Sequence, residues 1–227
     1  MNIAIIPARS GSKRIKNKNI KFFCGKPIIS AVIKKLLASK LFDLVVVSTD
    51  SEIIKNISIN AGASVPFLRP KKLSGDLVDT SSVIKHTLNW FKLHKINIVY
   101  ACCVYPTSVF FTKKDIFKAF LKLRKKKLNF VVSAKKINSN MLRSFVIEKN
   151  IIKILNDRFF DFRTQDLPNN YMDAAQFYYG KRDSWYKSKI FGKKSSIIEI
   201  EYKQSVDIDT QDDWLQAEKL FKKRKIK

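Results

Sequence analysis

The chain has 227 residues, of which 45% are hydrophobic and 28% charged, with six Gly and six Pro; this excludes disordered, low-complexity and collagen-like proteins. Lys and Arg number 45 against 19 acidic residues, which gives a formal charge of +26. Only nine of these basic residues are Arg, and the lysines are spread along the whole chain, a distribution that disfavours a nucleic-acid-binding protein. Three cysteines give neither a disulfide framework nor metal-binding spacing. With no signal-peptide pattern and no apolar run long enough for a membrane helix, we expect a cytoplasmic protein.

Short apolar runs alternate with amphipathic stretches along the first two-thirds of the chain. The apolar runs predict strands at residues 2–6, 44–48, 64–68, 96–104 and 129–134. Helical spacing predicts helices that begin at Pro27 and that cover residues 51–60, 81–93 and 113–125. This alternation is typical of a parallel sheet with helices on both faces.

The alternation breaks between about residues 136 and 172. Two short apolar pieces, 144–148 and 151–155, flank Lys149 and Asn150 and predict a hairpin. Strands are then predicted at 174–180 and 196–201, and a closing helix at 211–223. Because no repeat and no Pro/Gly/Ser linker divides the chain, we predict a single domain over residues 1–227 with an inserted arm at about 136–172.

The loop after the first predicted strand is rich in small and basic residues, from Ala8 to Arg14, followed by Lys16, Lys18 and Asn19. In parallel sheets, ligands bind beyond the carboxyl ends of the strands, and free backbone N–H groups with nearby cations suit a polyphosphate. The spacing matches neither a Walker loop nor a dinucleotide-binding fingerprint. A solvated basic loop is the alternative, since a Lys-rich chain produces such loops by chance.

A second candidate segment, residues 205–213, is rich in aspartate. Alternation places Asp207 and Asp209 on one side of an extended stretch, where both carboxylates can approach one hard cation. Thr210 is predicted to cap the closing helix, with Asp212 and Asp213 in its first turn. The alternative, that all these aspartates only support the helix start, is preferred for Asp212 and Asp213.

A third segment, residues 171–180, alternates aromatic and polar side chains. Phe177 and Tyr179 are predicted to pack in the core, whereas Gln176 and Tyr178 on the opposite face are placed to hydrogen-bond a sugar.

Taken together and in this order, several segments resemble the nonulosonic acid cytidylyltransferases, the CMP-sialic acid synthetase family, over nearly the whole chain. They are residues 5–14 (IIPARSGSKR), 18–19 (KN), 25–27 (GKP), 47–50 (VSTD), 69–70 (RP), 106–108 (PTS) and 206–210 (VDIDT). Residues 163–168 (RTQDLP) and 173–178 (DAAQFY) are most similar to the pseudaminic acid branch.

This resemblance implies a three-layer α/β/α fold of the glycosyltransferase-A type with a mainly parallel sheet, in a homodimer whose β-rich inserted arm reaches the partner. It implies Mg²⁺-dependent transfer of CMP from CTP to the anomeric hydroxyl of a nine-carbon acid sugar, with release of pyrophosphate. The implied triphosphate residues are Arg9 and Lys18, and the implied nucleotide residues are Ala8, Ser10, Ser12, Asn19, Arg69 and Thr80. The implied sugar residues are Tyr105, Thr107, Arg163, Gln165, Gln176 and Tyr178. Asp207 and Asp209 would hold the metal, and Asp209 would also accept the hydroxyl proton.

Four positions depart from the family pattern near the implied sugar site. Tyr105 stands where the sialic acid branch has Gln, Val109 where Pro is common, Met172 where His is expected and Ala175 where Gly is usual. N-acetylneuraminate, legionaminate and 3-deoxy-manno-octulosonate therefore remain alternative substrates to pseudaminic acid.

Two alternatives lie outside this reaction. A non-enzymatic nucleic-acid-binding domain would use the lysine runs at residues 122–127 and 222–227, although runs at helix ends are usually solvated. A family member that binds CTP without turnover is disfavoured because Asp207 and Asp209 are both retained. We therefore expect neither a nucleic-acid partner nor a membrane partner.

Overall fold

The computed structural model describes residues 1–125, 127–201 and 206–225. In chain order the elements are β1 (Asn2–Pro7), β2 (Phe22–Phe23), β3 (Lys26–Pro27), α1 (Ile28–Leu37), β4 (Leu44–Ser48), α2 (Glu52–Asn60), α3 (Thr80–Leu93), β5 (Tyr100–Val104), α4 (Lys113–Lys125), β6 (Phe130–Ile137), β7 (Phe145–Glu148), β8 (Ile151–Ile154), β9 (Asn170–Lys181), α5 (Arg182–Lys187), β10 (Ser195–Glu199) and α6 (Gln211–Lys225).

Six strands form the central sheet in the order β10-β6-β9-β5-β1-β4. β1 pairs in parallel with β4 and β5, and β6 pairs in parallel with β10. β9 is antiparallel to both of its neighbours, β5 and β6. The sheet is therefore mainly parallel, and the predicted α/β class is confirmed.

Alternation along β1 shows how helices cover both faces of the sheet. Ala4 and Ile6 pack in the core cluster that includes residues of α1, α4 and α6. Ile3 and Ile5 face the other cluster, which includes residues of α3 and α5. All four side chains are fully buried, as expected for a strand covered on both faces.

Several predicted boundaries move in the structure. The predicted strand at 64–68 is wrong: it makes only two isolated bridges, Val46 to Ser64 and Thr49 to Leu68, because Pro66 lacks the N–H that a ladder requires. The predicted strand at 96–104 begins at Tyr100 instead. α3 begins one residue earlier than predicted, after Asp79, whose carboxylate accepts from the Ser82 backbone N–H at 3.0 Å.

The predicted hairpin is confirmed by the β7–β8 pair. Its turn residues Lys149 and Asn150 have φ of 52° and 61°, the left-handed region that a tight two-residue turn requires. β6 and β9 remain paired from Lys135 opposite Met172 to Ile137 opposite Asn170, so the inserted arm begins after this ladder ends. None of the helices in the described ranges is long and apolar enough to span a membrane.

The β6–β9 ladder contains an irregularity that shapes the site. From the pair Val132–Tyr178 to the pair Ala134–Asp173, the register moves by two residues along β6 but by five residues along β9. The Ser133 hydroxyl fills the gap and accepts the backbone N–H groups of Gln176 and Phe177, both at 3.0 Å. Ala175 lies in this bulge with φ of 48°, a conformation that glycine adopts without steric cost.

Candidate active site

A cavity of about 710 Å³ lies beyond the carboxyl ends of β1 and β5. The loop after β1, the segment between β4 and α3, β9 and residues 207–209 contribute to its walls. The residues predicted from the sequence that line it are Arg9, Ser12, Lys18, Asn19, Arg69, Thr80, Tyr105, Thr107, Tyr178, Asp207 and Asp209. The structure thus brings together groups from both ends of the chain.

Two residues predicted to surround the nucleotide, Ala8 and Ser10, do not line the cavity but hold the loop that does. Ala8 is fully buried, and its backbone N–H donates to the Ser48 carbonyl at 2.9 Å. Ser10 donates its backbone N–H and its hydroxyl to the two carboxylate oxygens of Asp50, each at 2.9 Å. These bonds anchor the loop after β1 to the neighbouring strand β4 and the residues that follow it.

Three predicted sugar residues also lie outside the lining. Gln176 is 2% exposed; its Oε1 accepts the Phe110 backbone N–H at 3.2 Å and its Nε2 donates to the Ala174 carbonyl at 3.1 Å. Both ends of the side-chain amide are therefore hydrogen-bonded to backbone groups. Arg163 and Gln165 are exposed in the inserted arm.

Lys18 joins the basic loop to the aspartate segment 190 residues later in the chain. Its Nζ donates to the Ile208 carbonyl at 2.8 Å and lies 3.2 Å from Asp209 Oδ1. Arg14 pairs with the same oxygen at 2.9 Å. Asn19 links two parts of the same loop, because its Nδ2 donates to the Arg9 carbonyl at 2.8 Å.

Asp76, which we did not predict as a site residue, pairs with two further cations of the loop. Its two oxygens lie 2.5 Å from Arg9 and 2.6 Å from Lys13. Hydrogen bonds from Lys13 and Arg9 hold the pKa of this carboxyl below its usual range. The one sequence signal was the scarcity of acidic residues in a basic chain, the same signal that favoured Asp207 and Asp209.

Arg69 contributes a buried cation to the cavity wall. Only 4% of the residue is exposed, its Nε donates to Ser74 Oγ at 3.2 Å, and its backbone N–H donates to the Thr49 carbonyl at 2.7 Å. Burial lowers the pKa of this guanidinium; the charge of Asp50 opposes the shift, and the nearby charge of Arg9 adds to it. A bound anion would relieve the repulsion between these two cations.

Asp207 and Asp209 have the chemistry of a hard-cation site. Solvent reaches Asp207, yet the surrounding protein displaces enough water to raise its pKa, and the charge of Asp209 raises it further. Two carboxylates close enough for the charge of one to raise the pKa of the other fit Mg²⁺, which is commonly held by one or two carboxylates together with substrate phosphates. The described residues contain no group of three or more His, Cys, Asp or Glu side chains that could hold a metal by themselves.

The neighbouring aspartates support the helix, as predicted. Asp213 Oδ2 accepts the backbone N–H of Thr210 at 2.7 Å and that of Asp209 at 3.1 Å, and the Thr210 hydroxyl accepts the Asp213 N–H at 3.2 Å in return. This reciprocal cap fixes the start of α6. Asp212 is exposed in the same turn.

Two tyrosines, Tyr105 and Tyr178, line the cavity. The Tyr105 hydroxyl lies 2.8 Å from Thr80 Oγ1, and the Tyr178 hydroxyl donates to Asp173 Oδ2. The rings meet edge to face with centroids 5.7 Å apart. Burial raises the pKa of Tyr105 to about 12 and that of Tyr178 still higher, so both phenols stay neutral.

Comparison with known proteins identifies the family of this chain. The sequence pattern of the family described as "Cytidylyltransferase" matches residues 3–226. The chain belongs to the cytidylyltransferase family. It is therefore a nucleotidyltransferase, and the resemblance seen in the sequence is confirmed.

Two relatives agree with this assignment, and a solved structure shares the fold. The cytidylyltransferase is 34% identical to the pseudaminic acid cytidylyltransferase of Campylobacter jejuni subsp. jejuni over 97% of this chain and 96% of that one. It is 31% identical to the CMP-N,N'-diacetyllegionaminic acid synthase of Legionella pneumophila over 96% and 95% of the two chains. The structure of CMP:2-keto-3-deoxy-manno-octonic acid synthetase complexed with CTP superposes with a TM-score of 0.73, at 14% identity over 99% of this chain and 100% of that one, which shows the shared fold.

Proposed function

We propose that this cytidylyltransferase transfers CMP from CTP to the anomeric hydroxyl of a nonulosonic acid, with pseudaminic acid as its substrate, and releases pyrophosphate. The observation that carries the proposal is the convergence of the basic loop and the Asp207–Asp209 segment on one cavity. The similarity to a pseudaminic acid cytidylyltransferase over nearly the full length of both chains supports the choice of sugar.

The charges of the cavity suit this chemistry. The sugar hydroxyl oxygen attacks the α-phosphorus, the bond from that phosphorus to the β-phosphate oxygen breaks, and the hydroxyl proton passes to a base. Negative charge grows on the departing pyrophosphate, so alignment and preorganised cations supply most of the catalysis. Arg9 offers a planar fork and Lys18 a point charge for these oxygens. Ser12, Asn19, Arg69 and Thr80 complete the nucleotide side of the cavity.

Asp207 and Asp209 would hold Mg²⁺ through their neighbouring carboxylates. When bound, the ion would neutralise phosphate charge and polarise the α-phosphate. We assign Asp209 as the acceptor of the hydroxyl proton. Asp207, whose pKa is raised, is the second candidate for this role.

The sugar would lie against Tyr105, Thr107 and Tyr178. Arg163 and Gln165 are exposed and do not line the cavity of their own chain, so we propose a homodimer in which the inserted arm extends towards the partner's cavity. Exposed apolar side chains on the β7–β8 hairpin, Ile147, Ile151 and Ile152, support an arm that packs against another chain.

Pyrophosphate release from CTP, Mg²⁺ and a panel of acid sugars tests the substrate. We expect the highest kcat/KM with pseudaminic acid, and lower values with N-acetylneuraminate, legionaminate and 3-deoxy-manno-octulosonate. A higher kcat/KM with legionaminate would transfer the assignment to that sugar, to which the similarity with the Legionella synthase points.

The nucleic-acid alternative gains no support from the described part of the lysine runs. Lys122 donates its Nζ to the Ile197 carbonyl at 3.0 Å and so fastens α4 to the edge strand β10. Of the two runs, residues 126, 226 and 227 lie outside the described residues.

A further inference from the structure

Asp173 lies in the cavity wall and has no role in the reaction as described above. Its Oδ1 accepts the Ala175 backbone N–H at 2.8 Å, and its Oδ2 accepts the Tyr178 hydroxyl. Both contacts arise from the bulge in β9, which brings residues 173 and 178 to the same wall of the cavity. Asp173 is partly buried, and Tyr178 is 5% exposed.

The carboxylate fixes the direction of the hydrogen bond to Tyr178. A carboxylate has no proton to donate, so the phenol must donate to it. The phenol has one proton, and once that proton points at Asp173 the oxygen can offer only lone pairs, both to the neighbouring Tyr105 hydroxyl and to a group in the cavity. Because burial keeps Tyr178 neutral, this arrangement persists at physiological pH.

We infer that Asp173 is a positioning residue that holds Tyr178 as a hydrogen-bond acceptor towards the acid sugar. This rests on the proposed function and adds a criterion of specificity to it. The sugar group that faces Tyr178 must be a donor, a hydroxyl or an amide N–H, and a carbonyl or carboxylate oxygen at that point is rejected. A site whose hydrogen-bond acceptor is fixed rejects a second acceptor, because both buried polar groups are then left without a hydrogen bond.

Asp173→Asn separates this role from support of the bulge. Asparagine keeps a carbonyl oxygen for the Ala175 N–H, and its amide can donate to the Tyr178 oxygen. The phenol proton is then free to turn into the cavity, so the polarity of the wall is reversed while its shape is retained. Tyr178→Phe removes the acceptor altogether.

Tyr179→Phe is the matched control. Tyr179 is the next residue of β9, is fully buried on the opposite face of the strand, and donates its hydroxyl to Asn2 Oδ1 at 2.7 Å. It does not line the cavity. This substitution removes a buried hydroxyl of the same kind from the same strand, so it should lower the Tm and leave both KM values unchanged.

The experiment measures kcat and both KM values by pyrophosphate release with CTP and pseudaminic acid for the wild type and each variant. We expect Asp173→Asn and Tyr178→Phe each to raise the KM for the sugar by about tenfold, with the KM for CTP unchanged. The double variant should be no worse than the worse single variant, because both changes remove the same contact.

Two results would overturn the inference: a wild-type sugar KM in Asp173→Asn, or equal increases in both KM values, which indicate general disruption of the cavity. A wild type that releases no pyrophosphate with any acid sugar of the panel would instead overturn the proposed function, and this inference with it.

Discussion

Lys18→Met tests whether the basic loop and the aspartate segment act as one site. Lys18 donates to the carbonyl of Ile208, a residue that is 1% exposed, and the lysine side chain itself is only 19% exposed. Loss of a charged donor to a buried carbonyl costs about 1.5–3 kcal/mol. The partly exposed pair with Asp209 adds little to this.

For a chain of this length such a loss corresponds to a decrease in Tm of about 3–12 °C. We also expect kcat/KM for CTP to fall by roughly 10²-fold, because a preorganised cation is removed from the triphosphate. Differential scanning fluorimetry and pyrophosphate release measure the two effects. The KM for the sugar should change little.

Lys21→Met is the matched control for this substitution. Lys21 also joins the N-terminal segment to α6, since its Nζ donates to Gln211 Oε1 at 2.7 Å and lies 4.9 Å from the Trp214 ring centroid, but it does not line the cavity. We expect near-wild-type activity from this variant. A folded Lys18→Met enzyme within threefold of wild-type kcat/KM would refute the role of Lys18.

Three further substitutions give distinct readouts. Desolvation and the charge of Asp209 raise the pKa of Asp207, so its ionised form destabilises the fold as pH rises through the carboxyl range. Asp207→Asn should therefore raise the Tm at pH 7 in EDTA and abolish turnover when Mg²⁺ is present. Asp212→Asn, the control in the first turn of α6, should leave turnover unchanged and lower the Tm only slightly, because it removes a charge that favours the helix start. Asp76→Asn frees the two loop cations that Asp76 neutralises and should lower the KM for CTP; an unchanged KM would mean that these ion pairs do not compete with the triphosphate. Gly180→Ala places a methyl group 2.5 Å from Phe130 Cε1 and should destabilise the protein by about 1–3 kcal/mol in a denaturant titration, whereas unchanged stability would show that the ring can move aside.

The layers of the fold could be predicted because burial leaves a direct trace in the sequence. β1 and β4 are short β-branched runs, and α1 has apolar residues at helical spacing, so their type followed from periodicity. The antiparallel direction of β9 leaves no such trace. A strand buried on both faces has the same composition in either direction, and only the chain path through the inserted arm decides it.

The site could be predicted residue by residue but not as a set of contacts. Lys18 and Asp209 were each singled out, yet their pairing depends on how α6 returns to the loop after β1. Gln176 and Tyr178 share one side of a regular strand, but the bulge brings Gln176 into backbone hydrogen bonds and leaves only Tyr178 at the cavity. Asp76 lies in a loop whose spacing carries no periodic signal.

Mass spectrometry of the product formed from CTP, Mg²⁺ and pseudaminic acid tests the proposed reaction most directly. We predict a single new species with the mass of the sugar joined to CMP through one phosphodiester bond, in equal amount to the pyrophosphate released. Its formation should be lost in Asp209→Ala. Hydrolysis of CTP without a sugar adduct, or an adduct formed equally well by Asp209→Ala, would contradict the assignment.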